Sequence, residues 1–208
     1  MEMNPFQYSE LNVPQLIDQI RFTPHTDSEK VTIDYLPSPF RLIGTGTDAI
    51  VVQHIHEPAY VYKVFSESSR SKLDLEYQIY QILSSSPYFC TCYSKGSKFL
   101  KLSYEEGVTL YQCLQQGIPI PEQVILDVND AIRYAKKLGL NPRDIHLKNI
   151  ILQNGRGKLI DVSEYLNPGN DERWEYIREG YYTIYPYIKG KKIPAFFLNK
   201  IKNMYFEN

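Results

Sequence analysis

The sequence predicts an α+β fold, with an antiparallel β-sheet and one main helix in its first half and mostly helices in its second. Up to about residue 103, short apolar runs alternate with glycine, proline and polar turns, which is typical of strands. Beyond the connector Tyr104–Gly107, apolar residues recur at helical spacing over longer segments. At 208 residues, the chain is long enough for one domain or two small lobes.

Composition excludes several classes of protein. Lys and Arg number 23 against 24 for Asp and Glu, so the near-zero net charge provides no basic surface for nucleic acid or an anionic membrane. A mean hydropathy of −0.38, without any apolar run of about 20 residues, argues against a membrane span. The three cysteines lack zinc-site spacing, and the N-terminus lacks a secretory signal. We therefore expect a cytoplasmic protein with reduced cysteines and no nucleic-acid or membrane partner.

Residues 1–38 are predicted to form an N-terminal extension whose function the sequence does not reveal. Within it, Asn12–Phe22 has the pattern of a short amphipathic helix that Asn12 caps. Val31–Leu36 alternates as a strand does.

The segment Phe40–Phe65 predicts three strands, with the turn "GTGTDA" (Gly44–Ala49) between the first two. A strand, a glycine turn and a second strand make a hairpin whose tip can cover phosphates. A dinucleotide fold would instead place a helix after the turn. The alternative interpretation is an ordinary glycine hairpin without a ligand.

Lys63 lies inside the third of these strands, among apolar residues that we expect to be buried. A buried ammonium group is unfavourable unless an anion pairs with it. The next segment, Ser69–Ser84, has helical periodicity, and its apolar stripe consists of Leu75, Ile79, Ile82 and Leu83. Glu76 lies at the edge of this stripe and could pair with Lys63, with Asp74 as the competing carboxylate.

The remainder of the chain predicts a hairpin at Tyr88–Ser103 and then a helix-rich half. Helices are predicted at Thr109–Gly117, Pro121–Gly139, Asn170–Tyr182 and Pro194–Tyr205. We accordingly divide the chain after the extension into a strand-rich part, 39–106, and a helix-rich part, 107–208.

Between the second and third of these helices, a small hairpin brings polar side chains together. Its strands are predicted at Asn149–Gln153 and Lys158–Val162, joined by the turn Asn154–Gly157, since Asn and Gly tolerate positive φ. Asp144 and Asn149 precede the first strand and Asp161 ends the second, so three oxygen-bearing side chains converge. Such a set suits a hard cation such as Mg²⁺. The alternative is a hairpin with polar ends.

Taken in order, these motifs resemble those of the protein-kinase-like superfamily over about Leu42–Val162. "GTGTDAIV" is similar to the glycine-rich loop, with Ala49 in place of the third glycine, and "VYK" is similar to the strand that carries the phosphate-pairing lysine. "RDIHLKN" resembles the catalytic loop, and "DVS" stands in place of the D-F-G motif. The resemblance implies a two-lobed protein-kinase-like fold, with an antiparallel N-lobe sheet, one main N-lobe helix and a reduced, mostly helical C-lobe.

The resemblance also implies roles in an ATP- and Mg²⁺-dependent phosphotransferase. Asp144 would accept or orient the proton of the acceptor hydroxyl, while Asn149 and Asp161 would bind Mg²⁺ on the ATP phosphates. Lys63, held by Glu76, would contact the α- and β-phosphates and is assigned with Asp144 to catalysis. The residues implied at the nucleotide are Gly44, Thr45, Gly46, Thr47, Ala49, Lys63 and Glu76.

Departures from the family pattern leave the acceptor open. Pro142 replaces the catalytic-loop His, Val162 and Ser163 replace the Phe and Gly of D-F-G, and His146 stands where protein kinases usually carry Lys. The loop is similar to those of small atypical kinases of the RIO type and of aminoglycoside- and choline-type kinases. The first interpretation is a minimal serine/threonine protein kinase. The alternatives are a small-molecule kinase and a nucleotide-binding pseudokinase that acts as an interaction module.

Overall fold

The computed structural model describes residues 12–25 and 29–198. In chain order, the elements are α1 (Val13–Gln19), β1 (Arg21–Thr23), β2 (Thr32–Tyr35), β3 (Phe40–Thr45), β4 (Ala49–His54), β5 (Tyr60–Phe65), α2 (Arg70–Leu83), β6 (Cys92–Lys95), β7 (Phe99–Ser103), β8 (Val108–Thr109), α3 (Leu110–Gln116), α4 (Glu122–Lys137), β9 (Ile150–Gln153), β10 (Arg156–Leu159), α5 (Arg173–Thr183) and α6 (Tyr185–Ile188). The predicted α+β class is confirmed. No helix within 12–25 and 29–198 has the length and apolar character needed to cross a bilayer.

The chain forms two units. The first contains the described residues up to Gln78 together with Thr91–Tyr104, and the second contains Ile79–Cys90 and the residues from Glu105 onward. The boundaries predicted after residues 38 and 106 stay predictions.

The first unit is built around a five-stranded antiparallel sheet in the order β3-β4-β5-β7-β6. The three strands predicted between Phe40 and Phe65 are confirmed. β3 is two residues longer than its apolar run because Gly44 and Thr45 also pair with β4. Most residues of β4 and β5 are buried, as expected for inner strands that are covered on both faces. Lys63 occupies the middle of β5, opposite Leu100 of β7.

The N-terminal segment packs against one face of this sheet. Asn12 and Gln15 form a capping box at the start of α1, so the predicted cap is confirmed. The helix ends at Gln19, so its predicted extension to Phe22 is wrong: Ile20 is extended, and the chain continues into β1, which pairs with β2. The buried cluster beneath α1 includes Leu16, Ile17, Ile20, Phe40, Ile50, Val52, Tyr62 and Val64.

The buried face of α2 differs from the predicted stripe. Leu75 and Ile82 are 42% and 40% exposed, so their predicted place in the buried stripe is wrong. The buried positions are Leu73, Glu76, Ile79, Tyr80 and Leu83. These positions also follow the helical repeat, but the stripe has a carboxylate at its centre that an apolar pattern cannot reveal. Glu76 is fully buried rather than at the edge.

The second unit combines α3 and α4 with a three-stranded sheet in the order β10-β9-β8. The predicted hairpin is present, but its turn comprises only Asn154 and Gly155, with φ of 50° and 78°. Arg156 and Gly157 belong to β10 because they pair with the end of β9. The strand ends at Leu159 rather than Val162, so Asp161 follows the strand by two residues.

A buried carboxylate fixes this hairpin to α4. Asp127 accepts hydrogen bonds from Nε and Nη2 of Arg156 at 2.9 and 2.7 Å, and from the Gly157 N–H at 2.8 Å. Gln123 donates a further hydrogen bond at 2.9 Å. A Cβ at Gly157 would lie 3.0 Å from atoms of Val124, so glycine permits this close approach.

Helices α5 and α6 follow the β9–β10 hairpin in the chain. The helix predicted from Asn170 begins at Arg173. Trp174 is buried, and its Nε1 donates to Asn129 Oδ1 at 2.8 Å, so this side chain has a structural role. Of the final helix predicted at Pro194–Tyr205, residues 195–198 are helical, Pro194 precedes the helix, and residues 199–205 lie outside the described residues.

Candidate active site

The glycine turn lies between β3 and β4. Gly44 and Thr45 end β3, and Ala49 begins β4. Gly46 closes the turn by donating its N–H to the Ala49 carbonyl at 2.8 Å. A Cβ on Gly44 would meet no atom within 4 Å, so packing inside the protein does not require glycine there.

Contacts of two residues, Val31 and Asp48, hold this turn in place. The N–H of Val31, in the N-terminal segment, donates to the Gly46 carbonyl at 3.0 Å. The Asp48 carboxylate accepts from Ser69 Oγ at 2.9 Å and also binds Lys72 and the neighbouring Thr47. The turn is therefore fastened both to the N-terminal segment and to the beginning of α2.

Lys63 and Glu76 form a buried ion pair. Lys63 Nζ lies 2.8 Å from Glu76 Oε1 and 2.7 Å from Oε2. The Glu76 side chain is fully buried, and that of Lys63 is 12% exposed. The predicted pair is thus confirmed, whereas the role of Lys63 at the phosphates stays a prediction. The competing carboxylate, Asp74, pairs instead with Lys95 at the surface.

Asp144 is held in an uncommon backbone conformation. Its φ is 56°, in the left-handed region that residues other than glycine seldom adopt. Asp171 supports this conformation, because its Oδ2 accepts the Asp144 N–H at 2.7 Å while its Oδ1 accepts the Arg173 N–H at 3.0 Å. The guanidinium of Arg173 then forms an ion pair with the Asp144 carboxylate. Asp171 is almost fully buried, whereas 31% of the Asp144 side chain is exposed.

Charges around Asp144 act in opposite directions. Burial raises the pKa of Asp144; His146 and Arg173 oppose that rise, and the negative charges of Asp161 and Asp171 reinforce it. Burial also lowers the pKa of His146, whose Nε2 lies 3.9 Å from Asp144 Oδ1. A carboxylate with a raised pKa is a stronger base than an ordinary aspartate once ionised, which suits proton acceptance.

Asn149 and Asp161 lie at the same end of the β9–β10 hairpin. The Ile160 N–H donates to the Asn149 carbonyl at 3.0 Å, which brings the two segments together. Asn149 Nδ2 donates to the Asp144 carbonyl at 3.1 Å, an orientation that directs the amide Oδ1 away from that contact. Asp161 Oδ1 accepts the Ser163 N–H at 3.0 Å.

These donors fit magnesium. Mg²⁺ commonly takes one or two protein oxygens and completes its shell with substrate phosphates and water. Asn149 and Asp161 would supply an amide and a carboxylate oxygen. Among the residues described here, no three or more His, Cys, Asp or Glu side chains are grouped to hold a metal ion. Asn149 and Asp161 match the number and kind of oxygens that Mg²⁺ commonly takes from a protein.

Sequence reasoning missed Asp171, Arg173 and Asp48. Asp171 had a usable signal, because an acidic residue ahead of a predicted helix is typical of a helix start. Arg173 and Asp48 had none, since their partners Asp144 and Ser69 are 29 and 21 positions away. Such contacts depend on how the elements pack.

Comparisons with known proteins place the chain among the kinases. No family model matches it. It is 35% identical over 145 residues to "Putative serine/threonine-protein kinase YrzF" of Bacillus subtilis (strain 168), covering 69% of this chain and 67% of that protein. It is also 41% identical over 56 residues to "Dual serine/threonine and tyrosine protein kinase" of Strongylocentrotus purpuratus, covering 26% of this chain but 6% of that protein.

The similarity to solved structures is weaker. The chain aligns with the crystal structure of the Mycobacterium tuberculosis PknI kinase domain, and with that of a point mutant of the same domain, at 18% identity and a TM-score of 0.49. Each alignment covers 74% of this chain, and 75% of the mutant or 76% of the other chain. The identity to the Bacillus subtilis protein extends over two thirds of that relative, and the chain belongs to the protein-kinase-like superfamily.

Proposed function

We propose that the protein is an ATP- and Mg²⁺-dependent phosphotransferase, a serine/threonine protein kinase of minimal type that acts in the cytoplasm. Its acceptor is a hydroxyl group on a protein or, alternatively, on a small molecule, and neither nucleic acid nor membrane is a partner. The observation that carries the proposal is the presentation of Asp144. A buried carboxylate, Asp171, holds a strained backbone in place while the Asp144 side chain stays accessible, and such strain is concentrated at functional sites.

In phosphoryl transfer, the protein mainly positions the reactants and neutralises negative charge. The acceptor hydroxyl binds to Asp144, which takes its proton as the oxygen attacks the γ-phosphorus. The bond from that phosphorus to the bridging oxygen breaks, and its electron pair leaves with ADP. Lys63, oriented by Glu76, would hold the α- and β-phosphates. Asn149 and Asp161 would hold Mg²⁺, which would supply positive charge next to the phosphates.

The test is the stabilisation of the protein by ATP with and without Mg²⁺. A ligand that binds only the folded state raises the unfolding free energy by about 2.7 kcal/mol at 100 times its Kd. We expect Mg²⁺-dependent stabilisation of the wild type and its loss in Asp161→Asn. Asp144→Ala should keep this stabilisation but lose transfer of labelled γ-phosphate to a serine- and threonine-containing protein such as casein or to the protein itself. ATP that stabilises the wild type without any transfer would favour the nucleotide-binding pseudokinase. ATP that stabilises nothing under any condition would contradict the proposal and direct the search to a protein partner.

A small-molecule kinase is the second candidate, and the position of His146 favours it. The sequence Asp-x-His resembles the loop of aminoglycoside- and choline-type kinases, and here it puts His146 Nε2 3.9 Å from Asp144 Oδ1. A screen of sugars, aminoglycosides and amino alcohols for ADP release above the rate with water decides between the two acceptors. Turnover of proteins alone would reject this candidate.

A further inference from the structure

The catalytic loop has no lysine two positions after Asp144, and the structure brings a cation to Asp144 from elsewhere. Arg173, at the start of α5, forms an ion pair with the Asp144 carboxylate. The residue two positions after Asp144 is His146, whose ring nitrogen lies at 3.9 Å. The positive charge beside the proton acceptor therefore comes from a helix 29 positions further along the chain.

Arg173 is fixed at its base, and its side chain is partly exposed. Asp171 accepts the Arg173 N–H at 3.0 Å, and Arg173 Nε lies 3.7 Å from the same carboxylate oxygen. Because Asp171 also binds the Asp144 N–H, one buried carboxylate sets the backbone positions of both partners. The Arg173 side chain is nevertheless 39% exposed, so a ligand at Asp144 can reach it. A guanidinium carries five N–H donors, more than a single carboxylate uses.

The positive charge of Arg173 can reduce the repulsion between the transferred phosphoryl group and Asp144. The transferred phosphoryl group is anionic, and it must approach a hydroxyl that is bound to an anionic carboxylate. A cation bonded to that carboxylate lies within a few ångströms of the transferred oxygens, and an arginine supplied in this way can stabilise the charge of the transition state. We propose that Arg173 is a catalytic residue that binds the transferred phosphoryl group while it remains paired with Asp144. This inference rests on the phosphotransferase function proposed above.

The experiment compares two probes on the full-length chain. MgADP measures binding of the nucleotide, and MgADP with aluminium fluoride imitates the phosphoryl group in transfer. We expect the wild type to bind the aluminium fluoride complex at least about tenfold more tightly than MgADP by calorimetry. Arg173→Met should lose this preference while its affinity for MgADP stays the same, and Arg173→Lys should keep part of it. Slow ATP hydrolysis, with water as acceptor, should fall at least about 10²-fold in Arg173→Met.

Two variants separate this role from general damage. Arg178→Met removes an exposed arginine from the same helix and should change neither binding constant. Restoring a cation to the catalytic loop with His146→Lys in the Arg173→Met background should recover part of the lost preference.

The opposing outcomes are distinct. If the wild type binds the two probes equally, or if Arg173→Met keeps the preference, Arg173 does not bind the transferred group. Faster hydrolysis in Arg173→Met would show that the arginine blocks Asp144, which also overturns the inference. A wild type that does not bind MgADP at all overturns the proposed function and this inference together.

Discussion

The buried ion pair of Lys63 and Glu76 shows that losing one charge can destabilise a protein more than the intact pair stabilises it. Both carboxylate oxygens face the ammonium, and Glu76 is completely buried. Bringing two such charges out of water costs several kcal/mol for each ion, so the pair adds little net stability. Removing one partner is strongly destabilising, because the other charge then stays buried without a counter-charge.

Glu76→Gln should therefore lower the unfolding free energy by about 3–5 kcal/mol, as measured by urea denaturation. Asp74→Asn is the matched control on the same helix. Asp74 pairs with Lys95 at 2.7 Å, but its side chain is 59% exposed, so this change should cost less than about 1 kcal/mol. Equal losses in the two variants would show that the burial of Glu76 has no energetic consequence.

At the scale of the elements, α1 is part of the core of the first unit although its segment was predicted as an extension. Ile17 is fully buried in the cluster that it shares with the sheet. Ile17→Ala removes several buried atoms and leaves a cavity, so it should destabilise the protein by about 2–5 kcal/mol in thermal or urea unfolding.

Asp18→Ala provides the comparison for α1, because Asp18 is exposed and its contact with Lys98 uses the backbone carbonyl. We expect a change within about 0.5 kcal/mol. If Ile17→Ala were equally mild, α1 would be an appendage and not a part of the fold.

The contact between α4 and the β9–β10 hairpin predicts a dependence on pH. Burial by itself would raise the pKa of Asp127, but the hydrogen bonds from Arg156, the Gly157 N–H and Gln123 outweigh it and hold the pKa below its ordinary value of 3.8. A lowered pKa in the folded state means that the ionised carboxylate stabilises the fold. This contribution is present above pH 3.8 and is lost as the pH falls through the folded-state pKa.

Asp127→Asn should accordingly cost about 1.5–3 kcal/mol at pH 7, the usual contribution of hydrogen bonds to a charged group. The gap between wild type and variant should narrow when urea unfolding is repeated below about pH 4. Asp130→Asn, which removes the carboxylate of an exposed pair with Arg133 on the same helix, gives the baseline. A gap of the same size at both pH values would show that the Asp127 charge is unimportant.

For the molecule as a whole, local patterns were enough to predict the class of fold. Strand alternation and the Asn12 cap depend on neighbouring residues, and both are present in the structure. The turn predicted at Asn154–Gly157 is present in a shorter form, Asn154–Gly155. The ion pair of Lys63 could be predicted because a lysine in an apolar strand requires an anion.

Other parts of the site depend on contacts between distant elements. Asp127, Asp171 and Arg173 are polar residues on helices or beside them, where a solvent-exposed position is the ordinary expectation. Each of them has a partner that lies 27 to 30 positions away in the chain. The same limit explains why Leu75 and Ile82 were wrongly predicted to be buried. Apolar residues on an amphipathic helix do not reveal which side carries a buried carboxylate.

The fastening of the glycine turn by Val31 and Asp48 has an entropic consequence. Fixing the backbone of a residue costs about 1–2 kcal/mol in conformational freedom, so a loose turn that orders only around its ligand loses affinity. Here Gly46 is already bonded on both its N–H and its carbonyl, and Asp48 is anchored to the beginning of α2. Folding has ordered this turn beforehand, so a nucleotide bound as proposed above would not have to order it, and the N-terminal segment would contribute to affinity without touching the ligand.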